Sequence, residues 1–216
     1  MGRGEGGAMP RGYLRDPAAI CRESFAIIRR ETDLSLVPED LVDTVVRMVH
    51  ACGMPDIVDD VAFSPDAAKA GQSALRAGAT ILTDSEMVAH GISRSLLPAS
   101  NALLCLINER TVPALAERLG TTRSAAAVEL WRPDLEGALV AIGAAPTALF
   151  RLLELLDEGA PRPALVIATP AGVVGAAEAK EALIESEYDV PYLTLRGRRG
   201  GSALAAAAVN ALAQGA

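Results

Sequence analysis

The chain has 216 residues, a net charge of −7, 50% hydrophobic residues and only 3% aromatic ones. That charge argues against general affinity for nucleic acid or anionic membranes, and the apolar runs are too short and interrupted to span a bilayer. What remains is a globular protein with a core of Ala, Val, Leu and Ile, expected as one α/β domain over residues 13–216 behind a disordered tail, residues 1–12, rich in Gly and Arg.

In chain order, DPAAICRESFAIIRRE reads as a helix with Asp16 at its N-cap and Pro17 at its first position. Pro38 opens a second helix whose Val42, Val45, Val46 and Val49 form one apolar stripe, with Gly53 as its stop. A helix near Asp66 to Ala77 follows, then a strand ATILTD (Ala79 to Asp84), a helix SEMVAHGI and a strand NALLCLI (Asn101 to Ile107). VPALAERLG is a helix ended by Gly120, and TTRSAAAVELW starts another. Residues 137–184 then repeat one unit, an apolar run, a break at small residues and Pro, and a helical segment. GALVAIGAAPTALFRLLELL is the first copy and PALVIATPAGVVGAAEAKEAL the second. Leu149, Leu152, Leu153 and Leu156 fall at helical spacing. Short apolar runs without polar alternation are what parallel strands buried on both faces look like. PYLTLR (Pro191 to Arg196) is a last strand, and GRRGGSALAAAAVNALA is a loop entering a final helix. About five strands alternating with helices predict a doubly wound, mostly parallel sheet with helices on both faces.

In such folds ligands sit beyond the carboxyl ends of the strands, where helix N-termini favour anions. Of the two histidines, His50 ends the second helix, four residues after Val46, where the negative helix end favours imidazolium. That position suits an acid–base group, and equally a histidine that only holds the helix end. His90 reads as a helix-end residue. His50 and Cys52 point to different faces, so no thiol–imidazole pair is indicated. Arg123, behind Thr121 or Thr122 as helix cap, suits a carboxylate or phosphate, or else a solvated surface. Lys180 is placed either to reach a ligand at its helix N-terminus or to pair with Glu178 or Glu181. Basic residues cluster in RGRRGG (Arg196 to Gly201). No P-loop, no dinucleotide fingerprint and no metal-ligand spacing appears. Cys21, Cys52 and Cys105 fit neither a disulfide framework nor a zinc cage. With no charged segment leading into an apolar one at the start, the expected location is the cytoplasm.

YLRDPAAICRESFAIIR, RMVHACGM, TTRSAAAVELWRP, AIGAAPTALFRLLELL, PAGVVGAAEAKEAL and GRRGGSALAAAAVNAL together resemble the precorrin-8X methylmutase family of cobalamin biosynthesis, in order from Tyr13 to Ala213. The resemblance implies an isomerase that moves a methyl group from carbon 11 to carbon 12 of precorrin-8X to give hydrogenobyrinic acid. It implies no cofactor or metal, and a homodimer with the substrate near the subunit interface. It places the catalytic proton donor at His50 and substrate contacts at Ser24 and Arg123. Thr122, Gly143, Lys180 and Arg198 follow as substrate-binding candidates from their places in the matching loops. The family usually reads G-N-A-P where this chain has Gly143-Ala144-Ala145-Pro146. Ala171, Val173 and Ala179 likewise stand where Val, Phe and Ser are usual, and Cys21 where Tyr is frequent. The other readings are the cobalt-precorrin-8 methylmutase of the cobalt-early route, a non-catalytic corrinoid carrier, and an unrelated small-anion- or nucleotide-binding α/β protein.

Overall fold

A computed structural model of the chain describes residues 12–216; residues 1–11, most of the expected tail, lie outside the described residues. The first helices form where their caps predict. Asp16 accepts from the Ala19 N–H at the start of α1 (Pro17–Glu31). In α2 (Glu39–Cys52) the valine stripe is buried at Val45, Val46 and Val49, and Gly53 ends it in the left-handed conformation at φ 69°. Then come β1 (Val61–Phe63), α3 (Ala67–Arg76), β2 (Ile81–Thr83), α4 (Glu86–Gly91), β3 (Leu103–Cys105), α5 (Val112–Leu119) and α6 (Arg123–Glu129). The repeated units give β4 (Leu139–Ile142), α7 (Pro146–Asp157), β5 (Leu165–Ala168) and α8 (Ala176–Glu185). The chain closes with β6 (Tyr192–Leu195) and α9 (Ser202–Gly215).

The sheet has six strands in the order β1-β6-β5-β4-β2-β3, parallel except where β1 meets β6. All five expected strands are present, though shorter than their apolar runs. The sixth, β1, has no sequence signal. It is three residues long, partly buried and paired antiparallel at the sheet edge, so neither a run nor an alternation can develop.

Alternate strand residues face opposite layers. Ile81, Leu139, Leu165 and Ile167 meet α2, α3 and α9; Leu82, Val140, Ile142 and Val166 meet α7 and α8. The leucine stripe of α7 is buried in the second layer. Alanine-rich α9 is the buried centre of the first layer, with ten of its residues buried. Its small side chains permit close approach on several sides. A Cβ at Gly91 would lie 2.7 Å from the Ala206 Cβ, and one at Gly143 would lie 2.6 Å from the Ser202 Cα. Among the described residues no helix is long and apolar enough to cross a membrane.

From β2 the chain winds outward to β3, and from β4 it winds the other way through β5 to β6. The switch in direction lies between β2 and β4, and the crevice beyond their carboxyl ends is where a doubly wound sheet places its ligands.

Candidate functional site

The switch point is occupied by a carboxylate. Asp84, directly after β2, is 3% exposed; it accepts from the N–H groups of Gly143 at 3.0 Å and of Ala144 and Ala145 at 2.8 Å each. Burial raises the Asp84 carboxyl above the usual aspartate range, while the three donors pull the other way. The loop expected to offer N–H groups to a ligand at the start of α7 therefore spends them on the protein itself. Gly143 is a spacer: its N–H is bound by Asp84, and its missing side chain lets the first turn of α9 approach. Gly143→Ala is expected to cost about 1–3 kcal/mol by overpacking against backbone, checked by urea denaturation. Because backbone groups make this knot, Ala144 sustains it without a polar side chain. Sequence reasoning missed Asp84; the available signal was an acid directly at the end of a buried strand.

The loop from β6 to α9 is pinned on every side. Gly172 N–H donates to the Arg198 carbonyl at 3.1 Å, Gly201 N–H to the Thr169 carbonyl at 2.6 Å, and Lys180 Nζ to the Arg199 carbonyl at 2.7 Å. Gly200 has φ 155°, and a Cβ there would lie 2.2 Å from the Thr169 oxygen, so only glycine fits. The Arg199 guanidinium pairs with Asp56 and Asp60. Arg198 makes no ion pair among the described residues and is exposed. Lys180 departs from expectation. Its side chain is wholly buried and tied to the loop, so in this structure it holds the β6–α9 connection and does not pair with Glu178 or Glu181.

Burial lowers the Lys180 ammonium from 10.5 to about 8. With the folded value below the unfolded one, its contribution to stability is complete above pH 10.5 and lost as pH falls through about 8. Relative to Lys180→Met, the wild type is expected to gain about 3 kcal/mol between those limits. Urea denaturation of both proteins from neutral pH upward checks this, and parallel curves exclude it.

His50 stands exposed in the last turn of α2, at a cleft of about 280 Å³ walled by Ala203, Ala206 and Ala207 of α9, with Gly91, Asn210 and Arg47 around it. Phe25 of α1 meets its ring edge-on, centroids 5.4 Å apart at 82°. His50 is thus a surface group beside an apolar wall and not a core histidine. Ser24 precedes Phe25; its hydroxyl donates to the Ile20 carbonyl at 2.8 Å, an intrahelical bond that a ligand can replace. His90 is 81% exposed and bonds Glu86 of its own helix.

Arg123 opens α6 behind Thr122, whose hydroxyl oxygen accepts from the Ala125 N–H at 3.1 Å and lies 2.8 Å from the Thr147 hydroxyl of α7. Thr147 is a second polar group at this corner that the sequence did not single out. The Arg123 Nη2 donates to the Ile107 carbonyl at 3.1 Å and to Asn108 Oδ1 at 3.2 Å. The structure therefore brings together Arg123, Thr122 and Thr147 at one corner. His50 and Phe25 form a second locus and the loop of Arg198 a third; no direct contact joins the three among the described residues.

Residues 19–215 match the family model described as precorrin-8X methylmutase. A protein of Pseudomonas aeruginosa named precorrin-8X methylmutase is 61% identical over 93% of this chain and 97% of its own length. One of Priestia megaterium named cobalt-precorrin-8 methylmutase is 34% identical over 91% of this chain and 87% of its own. The solved structure of a precorrin-8x methyl mutase from Thermus thermophilus is 38% identical and superposes with a TM-score of 0.83, covering 91% of this chain and 95% of that one. With the six-stranded sheet, its switch point and nearly the whole chain matched, the protein belongs to the precorrin-8X methylmutase family, a family of isomerases.

Proposed function

We propose that the chain converts precorrin-8X to hydrogenobyrinic acid, moving a methyl group from carbon 11 to carbon 12 of the macrocycle. His50 gives a proton or a hydrogen bond to the ring nitrogen beside the migrating group. The 61% identity to a protein named for that activity carries the reading. The shift is redox-neutral and within one molecule, so the protein's task is to hold one conformer and tautomer and to exclude water. The apolar wall of α9 beside His50 suits the face of a tetrapyrrole, and an exposed imidazole at its edge can reach a ring nitrogen. Arg123 and Arg198, each without a carboxylate partner among the described residues, suit the substrate's carboxylates. Ser24 and Thr122 add hydroxyls, while Gly143 and Lys180 act as supports.

Identity favours the metal-free substrate, at 61% and 54% to relatives named for precorrin-8X against 30–40% to those named for cobalt-precorrin-8. The three separate loci, with Met87, Val173 and Val174 more than 70% exposed, fit a homodimer in which a second copy completes the slot. Residues 13–216 then form one catalytic domain, and three free cysteines suit the reducing cytoplasm.

The test is anaerobic mixing with precorrin-8X while the visible spectrum is recorded, in parallel with the cobalt-containing substrate. Conversion of the metal-free compound to hydrogenobyrinic acid supports the proposal. Conversion of the cobalt compound alone moves the enzyme to the other route. Binding with an unchanged spectrum for both leaves a corrinoid carrier. Light scattering of the free protein checks the dimer.

A further inference from the structure

Several arginines among the described residues end on carboxylates: Arg29 on Asp43, Arg151 on Glu129 and Glu154, Arg196 on Glu181, Arg199 on Asp56 and Asp60. Arg123 does not. Both of its acceptors, the Ile107 carbonyl and Asn108 Oδ1, are neutral, so the guanidinium is aimed without losing its charge. Both contacts use Nη2, which leaves the N–H groups of Nε and Nη1 to donate singly to a further acceptor. The Asn108 amide is itself fixed, because its Nδ2 donates to Glu86 Oε1 at 3.2 Å. Turned over, it would set its NH2 against the guanidinium and its oxygen against the carboxylate, so only one orientation satisfies both neighbours. Three loops or helices beyond β2, β3 and before β4 thus meet in the line Glu86–Asn108–Arg123.

We propose that Asn108 is a positioning residue of the substrate site, a neutral acceptor that aims Arg123 at a substrate carboxylate without neutralising it. Glu86 holds the amide one step further out. This rests on the proposed function, in which Arg123 meets a carboxylate of the macrocycle.

Asn108→Asp separates this role from a merely structural one, because it keeps the size and the acceptor oxygen while setting a charge against the guanidinium. The measurement is the affinity for hydrogenobyrinic acid by absorbance titration, with thermal midpoints recorded for each protein. Arg123→Ala and Asn108→Asp are each expected to weaken binding about tenfold or more, the scale of one charge-assisted hydrogen bond. Asn108→Ala is expected to weaken it about threefold, by loosening the fork alone. In the Arg123→Ala background Asn108→Asp is expected to add nothing, since the two act as one unit. Wild-type affinity in Asn108→Asp overturns the proposal, as does an equal loss in both backgrounds or no loss in Arg123→Ala. Those three outcomes leave the mutase reading standing; absence of hydrogenobyrinic acid binding by the wild type removes both.

Discussion

Replacing His50 by alanine is expected to slow conversion of precorrin-8X by two to four orders of magnitude, the usual contribution of a positioned acid–base group. Product affinity should stay within a few-fold of wild type. The imidazole stands exposed at the edge of the cleft, while the wall that would carry the macrocycle is made by Ala203, Ala206 and Ala207. Removing the ring therefore deletes the proton or hydrogen bond without emptying the binding surface. Phe25, edge-on to the ring, limits its orientations, so Phe25→Ala should lower the rate in the same direction but by less. The only other histidine, His90, is engaged with Glu86 on its own helix and has no such wall. Single-turnover spectra of wild type and variant, recorded anaerobically, decide the matter. Equal rates take His50 out of the chemistry and leave it as the end of α2.

Asp84→Ala is expected to destabilise the fold by about 3–5 kcal/mol, the largest loss among single changes near the site. It strands the N–H groups of Gly143, Ala144 and Ala145, and the first of these is fully enclosed. Each orphaned donor costs about 1–3 kcal/mol, less where water can enter. Asp84→Asn should cost less, about 1–2 kcal/mol, because its single oxygen can keep the Ala144 and Ala145 donors while its NH2 opposes Gly143. Urea denaturation of the three proteins measures this order. A loss below 1 kcal/mol for the alanine variant means that the loop does not depend on the carboxylate. The same loop abuts the first turn of α9, so activity should fall further than the unfolded fraction explains.

The periodic features were legible from residue order. The helix α1 with its Asp16 cap, the valine stripe of α2, the leucine stripe of α7 and four buried strands each announce themselves within a dozen residues. β1 did not, because a three-residue edge strand is made by its partner β6 and not by its own composition. Arg123 and His50 could be named as candidates from their helix positions, yet one sequence could not show that the first keeps its charge free or that the second is exposed.

Lys180 and Asp84 mark the boundary most sharply. As letters, a lysine in a helix and an aspartate after a strand are surface or ligand-binding residues by default. In the fold both are buried and spent on backbone groups 19 and 59–61 residues away in the chain. Local pattern and motif by themselves determined the layered α/β class, the family and the residues fit for acid–base and carboxylate work. Which of those residues stay exposed and which are buried holding the loops was decided only by tertiary structure. Hydrogen-bond partners of buried polar groups are set by distance in space, and periodicity along the chain carries no record of them.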